Sequence, residues 1–445
     1  MAERYEYVVV GSGAGGATLA RELALRGREV LVLERGALEG SVGTVRDALR
    51  YYDASRVLRQ PRTSTEGVVL WRTLMAGGST VVSAGNGVRA LERELAALGV
   101  DLDAEFAAAE REMGVEPLDE ALLSSGSRRL REAARSLGYR LEPMPKFLDQ
   151  SRCLRCARCT LGCRAEAKWT ALDELTVAEA HGATVRFGVT VESVVVEDGV
   201  ARGVRGVGPE GPVEIRAGTV VLAAGALATP VVLQRSGLDA GARLGVDTFV
   251  NVYGVVDEPE PGLTQLGEPQ MALVAREFHE FEGFVLSTYL NVPREVRLLE
   301  GGLACARLPV ARTLGLMVKI ADEDVGSVGA DGTVSKPVTE RDRARLDAGV
   351  ALARETLVAA GADPERVVVS KPQGAHPAAT AAIGDVVDAD LATSVEGLYV
   401  CDASVLPGPP GLPPILTVVA LARRLATHLT GVPASAVAGA AAGEA

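Results

Sequence analysis

Tyr5-Glu6-Tyr7-Val8-Val9-Val10-Gly11-Ser12-Gly13-Ala14-Gly15-Gly16 is the stretch that decides the fold. A β-rich apolar run over residues 5–10 ends at Gly11, residues 14–26 suit a helix, and residues 29–33 read as a second strand. That is a β-α-β unit with glycines in its first turn, and it predicts an α/β, Rossmann-like domain. Gly11, Gly13 and Gly16 satisfy G-x-G-x-x-G. The first glycine permits the tight turn, the second lets backbone approach a pyrophosphate, and the third lets helix and strand pack closely. The helix N-terminus then faces the anion. Glu34 closes the second strand about twenty residues on, where a ribose-binding acid belongs. Gly11, Ser12, Gly13, Ala14, Gly15, Gly16 and Glu34 are thus expected to hold a dinucleotide, with FAD or NAD left open by these residues alone. The competing reading of Glu34 is a solvated carboxylate at a strand end.

The rest of the chain fits a globular protein of more than one domain, with 445 residues, 47% hydrophobic and 23% charged. A formal charge of −12 argues against a nucleic-acid partner, which needs a basic face. No basic segment followed by an apolar core stands at the start, so no secretory leader is expected. The longest apolar stretches, 219–233 and 407–422, are broken by glycine and proline, so no membrane span is expected either. Six cysteines then read as ligands or buried thiols in a cytoplasmic protein rather than as disulfides.

Along the chain, residues 91–113, 120–137, 165–180, 339–360 and 415–429 show helical spacing. Strands are expected near 184–196, 213–222, 367–369 and 398–400. The stretch 240–335 is rich in β-formers punctuated by glycine and proline, which predicts antiparallel strands. Residues 431–445, dominated by alanine and glycine, are expected to be a disordered tail.

Cys153, Cys156, Cys159 and Cys163 are spaced C-x2-C-x2-C-x3-C, as in a bacterial ferredoxin run that binds a [4Fe–4S] cluster. Arg152, Arg155, Arg158 and Arg164 would offset the charge of such a cluster. Zinc is the alternative metal, although all-thiolate zinc sites usually join two separated knuckles. Free or redox-switching thiols are the third reading.

Several segments resemble the glucose–methanol–choline (GMC) family of FAD oxidoreductases. Leu31-Val32-Leu33-Glu34-Arg35-Gly36 is similar to its second strand, and Gly77-Gly78-Ser79-Thr80 to its GGS-type flavin loop. Val220-Val221-Leu222-Ala223-Ala224-Gly225-Ala226 with Thr229-Pro230 is similar to its return strand. His376-Pro377, Leu398-Tyr399-Val400, Asp402-Ala403-Ser404 and Pro414 through Thr417 resemble its C-terminal block in order and spacing. The resemblance implies FAD in the glycine-rich site and hydride transfer from a CH–OH carbon to flavin N5. It also implies cofactor contacts at Arg35, Gly77, Gly78, Ser79, Thr80, Ser83, Asn86, Val191, Ala224, Gly225, Asp402, Pro413 and Pro414. Related enzymes carry a similar cysteine-rich stretch before a Gly/Ala-Lys segment, matched here by Ala167-Lys168. Asp402 has a plainer alternative, as a cap for the element that follows it.

The same resemblance implies a discontinuous FAD-binding domain (residues 1–90, 165–238 and 385–430). A helical segment with the cysteine loop (91–164) and a mixed or antiparallel β-sheet substrate domain (239–384) complete the expected division. Of four histidines, His376 stands where the family places its catalytic base, and imidazole titrates near neutral pH. The family's second histidine or asparagine aligns with Pro413, which has no donor.

The sequence therefore predicts an FAD-dependent oxidoreductase that takes a small-molecule alcohol as substrate. Electrons would pass through a [4Fe–4S] cluster to an external protein or quinone acceptor. The alternatives are an alcohol oxidase using oxygen, with structural zinc at the cysteines, and a non-catalytic flavin or iron–sulfur redox carrier or sensor.

Overall fold

The computed structural model describes residues 3–54, 61–256 and 262–433; the expected tail lies outside them, apart from its first three residues. Two sheets organise the chain. In the first, Arg4–Val10 is flanked by two parallel neighbours, Val30–Glu34 and Gly211–Leu222, and Thr184–Phe187 extends the parallel edge. The long strand Gly211–Leu222 divides its far edge. Its first half pairs antiparallel with Val200–Gly208, which pairs in turn with Thr190–Glu197, and its last residues pair parallel with Leu398–Val400. Val30–Glu34 is buried at every position, as parallel strands covered on both faces require. The helices Ala14–Leu25 and Ile415–Thr430 pack on each other beside this sheet.

The second sheet is built on Phe249–Val255, Thr313–Ile320, Phe284–Thr288 and Leu273–Ala275, all antiparallel in that order. Short pieces from elsewhere join its edges, including Val69–Leu70, Glu142–Pro143 and Gln373–Gly374. The strands alternate between faces. Leu314, Leu316, Val318 and Ile320 pack in one core with Leu346, Ala353 and Leu357 of the helix Glu340–Ala359. Met317 packs in a different cluster with Phe249, Met271 and Tyr289, on the opposite face of the sheet.

Local differences from the sequence reading have local causes. The expected helix over 91–113 is two, Glu92–Ala97 and Asp103–Met113, because Gly99 adopts φ 79° between them. The expected helix over 165–180 begins only at Ala171, where Thr170 and Asp173 form a capping box. Inside the expected all-β stretch lies a helix, Arg294–Ala306, bent at Gly301 and Gly302. Among the described residues no helix is long and apolar enough to cross a membrane.

Candidate active site

The glycine-rich turn forms a cradle whose closed sides are backbone. A Cβ on Gly16 would lie 2.1 Å from the Gly11 carbonyl oxygen, and one on Gly15 would lie 1.9 Å from that of Cys401. Gly13, in contrast, would meet nothing within 4 Å. Helix and strand are therefore locked together while the middle glycine opens onto free space. No side chain caps the helix Ala14–Leu25 and its first turn holds no acid, so its leading N–H groups stay available for an anion.

Glu34 is buried and organises this turn. One carboxylate oxygen accepts from Ser12 N (3.0 Å) and Ser12 Oγ (2.7 Å), and the other from Gly36 N (2.6 Å). The second oxygen, with a single donor, has lone-pair capacity left for a ribose hydroxyl. Ser12 Oγ also receives Gly77 N at 3.1 Å, which ties the Gly77–Thr80 loop to the fingerprint.

One cavity of about 430 Å3 runs from this cradle to His376, within the size range of cofactor and ligand sites (about 300–1,000 Å3). Of the residues expected at the cofactor, Arg35, Gly78, Ser79, Thr80, Ser83, Asn86, Val191, Ala224, Gly225, Asp402, Pro413 and Pro414 line it. Gly16 and Gly77 stand behind the lining and shape the backbone instead. The carboxylate of Asp402 is occupied by the protein. It accepts from Gly225 N, Thr229 Oγ1, Ser404 N and Ser404 Oγ, so the capping reading describes its contacts. Asn86 is held by Lys146, whose Nζ donates to its Oδ1 at 2.6 Å.

At the other end, His376 Nδ1 lies 2.9 Å from Asp247 Oδ2, and Gly411 N donates to Asp247 Oδ1 at 2.7 Å. Lys319 Nζ stands 3.4 Å from Asp247 Oδ2. A carboxylate can only accept, so the imidazole carries its proton on Nδ1 and leaves Nε2 as the free base. Burial pushes the His376 pKa below its ordinary value, Lys319 adds to the fall, and Asp247 opposes it. The ring is thereby neutral and able to take a proton at neutral pH. Asp247 and Lys319 were not found from sequence. A period-2 reading of Thr313-Leu-Gly-Leu-Met-Val-Lys-Ile320 would have isolated Lys319 as one charge in a buried strand. His279, the other histidine near this end, packs behind Gly411 with its Nδ1 buried and unpartnered.

The structure lends the metal readings of the cysteine run no support. Among the described residues no group of three or more His, Cys, Asp or Glu side chains could hold a metal ion. Cys156 is exposed and the other three thiols are half-buried. Burial, with some mutual repulsion, raises the Cys153 and Cys156 thiols. The loop is anchored through its backbone instead. Tyr51 and Tyr52 hydroxyls donate to the Leu161 and Thr160 carbonyls, and Thr160 N donates to Gln270 Oε1 at 2.9 Å. Beneath it, buried Lys168 bridges the Val81, Ser83 and Cys159 carbonyls, tying this loop to the one that follows Gly78.

Known proteins give the same picture. Models of the GMC oxidoreductase N- and C-terminal regions match residues 5–252 and 334–422. The chain belongs to the GMC oxidoreductase family. It is 32% identical over 95% of its length to a GMC-type oxidoreductase of Mycobacterium tuberculosis, covering 75% of that protein. A long-chain-alcohol oxidase of Arabidopsis thaliana is 25% identical, with 95% of this chain and 67% of that one covered. Among solved structures, pyridoxine 4-oxidase from Mesorbium loti superposes with TM-score 0.74 at 19% identity, over 96% and 99% of the two chains. Formate oxidase gives 0.72 at 16%, over 97% and 98%. As a GMC oxidoreductase the protein is an FAD-dependent enzyme acting on alcohol-type donors, and the open cradle at Gly13 fits that cofactor.

Proposed function

We propose that the protein oxidises an apolar alcohol, with His376 taking the hydroxyl proton. The observation that carries this reading is the Asp247–His376 pair at one end of the cavity that begins at the glycine cradle. Bound FAD would supply the acceptor for the hydride leaving the carbinol carbon. Asp247 fixes the Nδ1–H tautomer, and Nε2 accepts the hydroxyl proton as the C–O bond becomes C=O. Phe249, Met271, Tyr289, Met317 and Trp71 line the same end of the cavity, and Leu49, Val296 and Leu299 line it further along. Burying an alkyl chain there is favourable at roughly 0.8 kcal/mol per methylene.

The cysteine run as placed does not fit a metal, so no electron step is routed through it. An external acceptor is left to reoxidise the flavin. The six free thiols support the reading of a reducing, cytoplasmic compartment.

The test is anaerobic bleaching of bound FAD by straight-chain 1-alkanols against monosaccharides. The alkanols should bleach it, faster with chain length, and His376→Ala should retain FAD but lose bleaching by about 100-fold or more. Bleaching by sugars alone, or an unimpaired His376→Ala, overturns the proposal. Stoichiometric peroxide in air would identify oxygen as the acceptor.

A further inference from the structure

Lys319 is 3% exposed and lines the cavity beside His376. Its ammonium has three donors. One reaches Asp247 Oδ2, at a long 3.4 Å. The other near group, His376 Nδ1 at 3.5 Å, already carries the proton it gives to Asp247, so that contact sets donor against donor. Asp322, the nearest further acid, is bonded to Thr248 Oγ1 and the backbone N–H groups of residues 246–248, and pairs with Lys336. A buried cation with donors to spare is costly unless something else accepts from them. Strand register explains its position: Lys319 lies opposite Phe249 on the same sheet face as Met317, which turns it toward the cavity.

We infer that Lys319 is the second catalytic group of this site, donating a hydrogen bond to the substrate oxygen as His376 removes its proton. The inference rests on the proposed alcohol oxidation and adds the missing half of the oxygen's grip, since Pro413, which also lines the cavity, has no donor. In the reaction the hydroxyl proton moves to His376 Nε2, the hydride leaves carbon for FAD, and the oxygen carries negative charge until C=O is complete. An ammonium in a water-poor site favours that charge far more in the transition state than in the neutral alcohol. Asp247 then serves both partners, orienting the imidazole with the same oxygen that holds the lysine.

The experiment uses the FAD-loaded protein and Lys319→Met, with two probes. The first is 1-octanol, read as the limiting rate of anaerobic flavin reduction. The second is hexanoate, whose carboxylate stands in for the alkoxide, read as a perturbation of the flavin spectrum without turnover. Lys319→Met should lower the limiting rate by about 100- to 1,000-fold with a smaller change in KM, and weaken hexanoate binding about tenfold or more. It should also raise the pKa of His376, which is resolvable by NMR among four histidines. If octanol bleaches the flavin equally in both proteins, the Lys319 inference falls while alcohol oxidation stands. If octanol is inert but hexanoate binding depends on Lys319, the lysine's anion-binding role stands and the alcohol reading falls. If neither probe responds, both fall. Should Lys319→Met lose FAD, Lys319→Gln, which keeps an N–H donor to Asp247, is measured in its place. It should restore part of the rate, and full restoration would overturn the requirement for a cation.

Discussion

Glu300 offers a prediction whose size follows from its surroundings. It lines the cavity, is 2% exposed, and accepts from Asn251 Nδ2 (2.9 Å), Asn291 Nδ2 (2.5 Å) and Tyr253 OH (3.0 Å). Burial lifts its carboxyl from an ordinary 4.5 to about 7, against the pull of those donors and of Arg297. The folded protein thus holds this proton more tightly than the unfolded chain. The stability it contributes is full below about pH 4.5 and is lost as pH rises to about 7. The loss amounts to about 3 kcal/mol at 1.36 kcal/mol per pH unit. Glu300→Gln removes the titration but keeps the shape. Its Oε1 still accepts from both asparagines and its amide donates to the Tyr253 oxygen, as the protonated acid would. In a chain this long ~1 kcal/mol moves the melting point by roughly 1 °C. The variant should therefore melt about 3 °C higher than the parent at pH 8, with the gap closing toward pH 4.5, as followed by thermal scans across that range. A gap that does not change with pH, or a less stable variant at pH 8, refutes the reasoning.

Asp247→Asn should hold FAD but slow flavin reduction by about 100- to 10,000-fold, because the amide no longer enforces the Nδ1–H tautomer; stopped-flow reduction by 1-octanol checks this. The parent's reduction rate should fall in acid with a midpoint below 6.5, since only the neutral imidazole takes a proton, and fall again in alkali below 10.5 as Lys319, whose pKa burial lowers, loses its charge. Gly15→Ala should lose FAD or fail to fold, because its Cβ would sit 1.9 Å from the Cys401 carbonyl oxygen; flavin content per chain measures it. Cys156→Ser should leave flavin content and melting point unchanged, whereas loss of bound iron or zinc with early melting would restore the metal reading.

What could be read from the sequence was chemistry whose constraints are local. The glycines at 11, 13 and 16 act on one turn within a few residues, so their spacing gives the cradle. His376 was legible because a short motif marks it. Asp247 and Lys319 were not, since they meet through the register of two strands and a loop distant in sequence. The cysteine run is the opposite case. Its spacing matches a metal site, yet the chain is held through Thr160 and Leu161, whose carbonyls no motif flags. The helix Arg294–Ala306 escaped because its glycine pair reads as loop, although it delivers Glu300 to the cavity wall.

The contact of Gly15 with Cys401 also bears on how the protein is made. The cradle's floor is laid by Gly15 and closed by Cys401, 386 residues further along the chain. At about 5–20 residues per second, roughly 20–80 s separate the two during synthesis. For that interval the first helix lacks both the Cys401 backbone and the helix Ile415–Thr430 against which it packs. A chain that stops before Cys401 therefore lacks the backbone that closes the cradle, and added flavin should not rescue it.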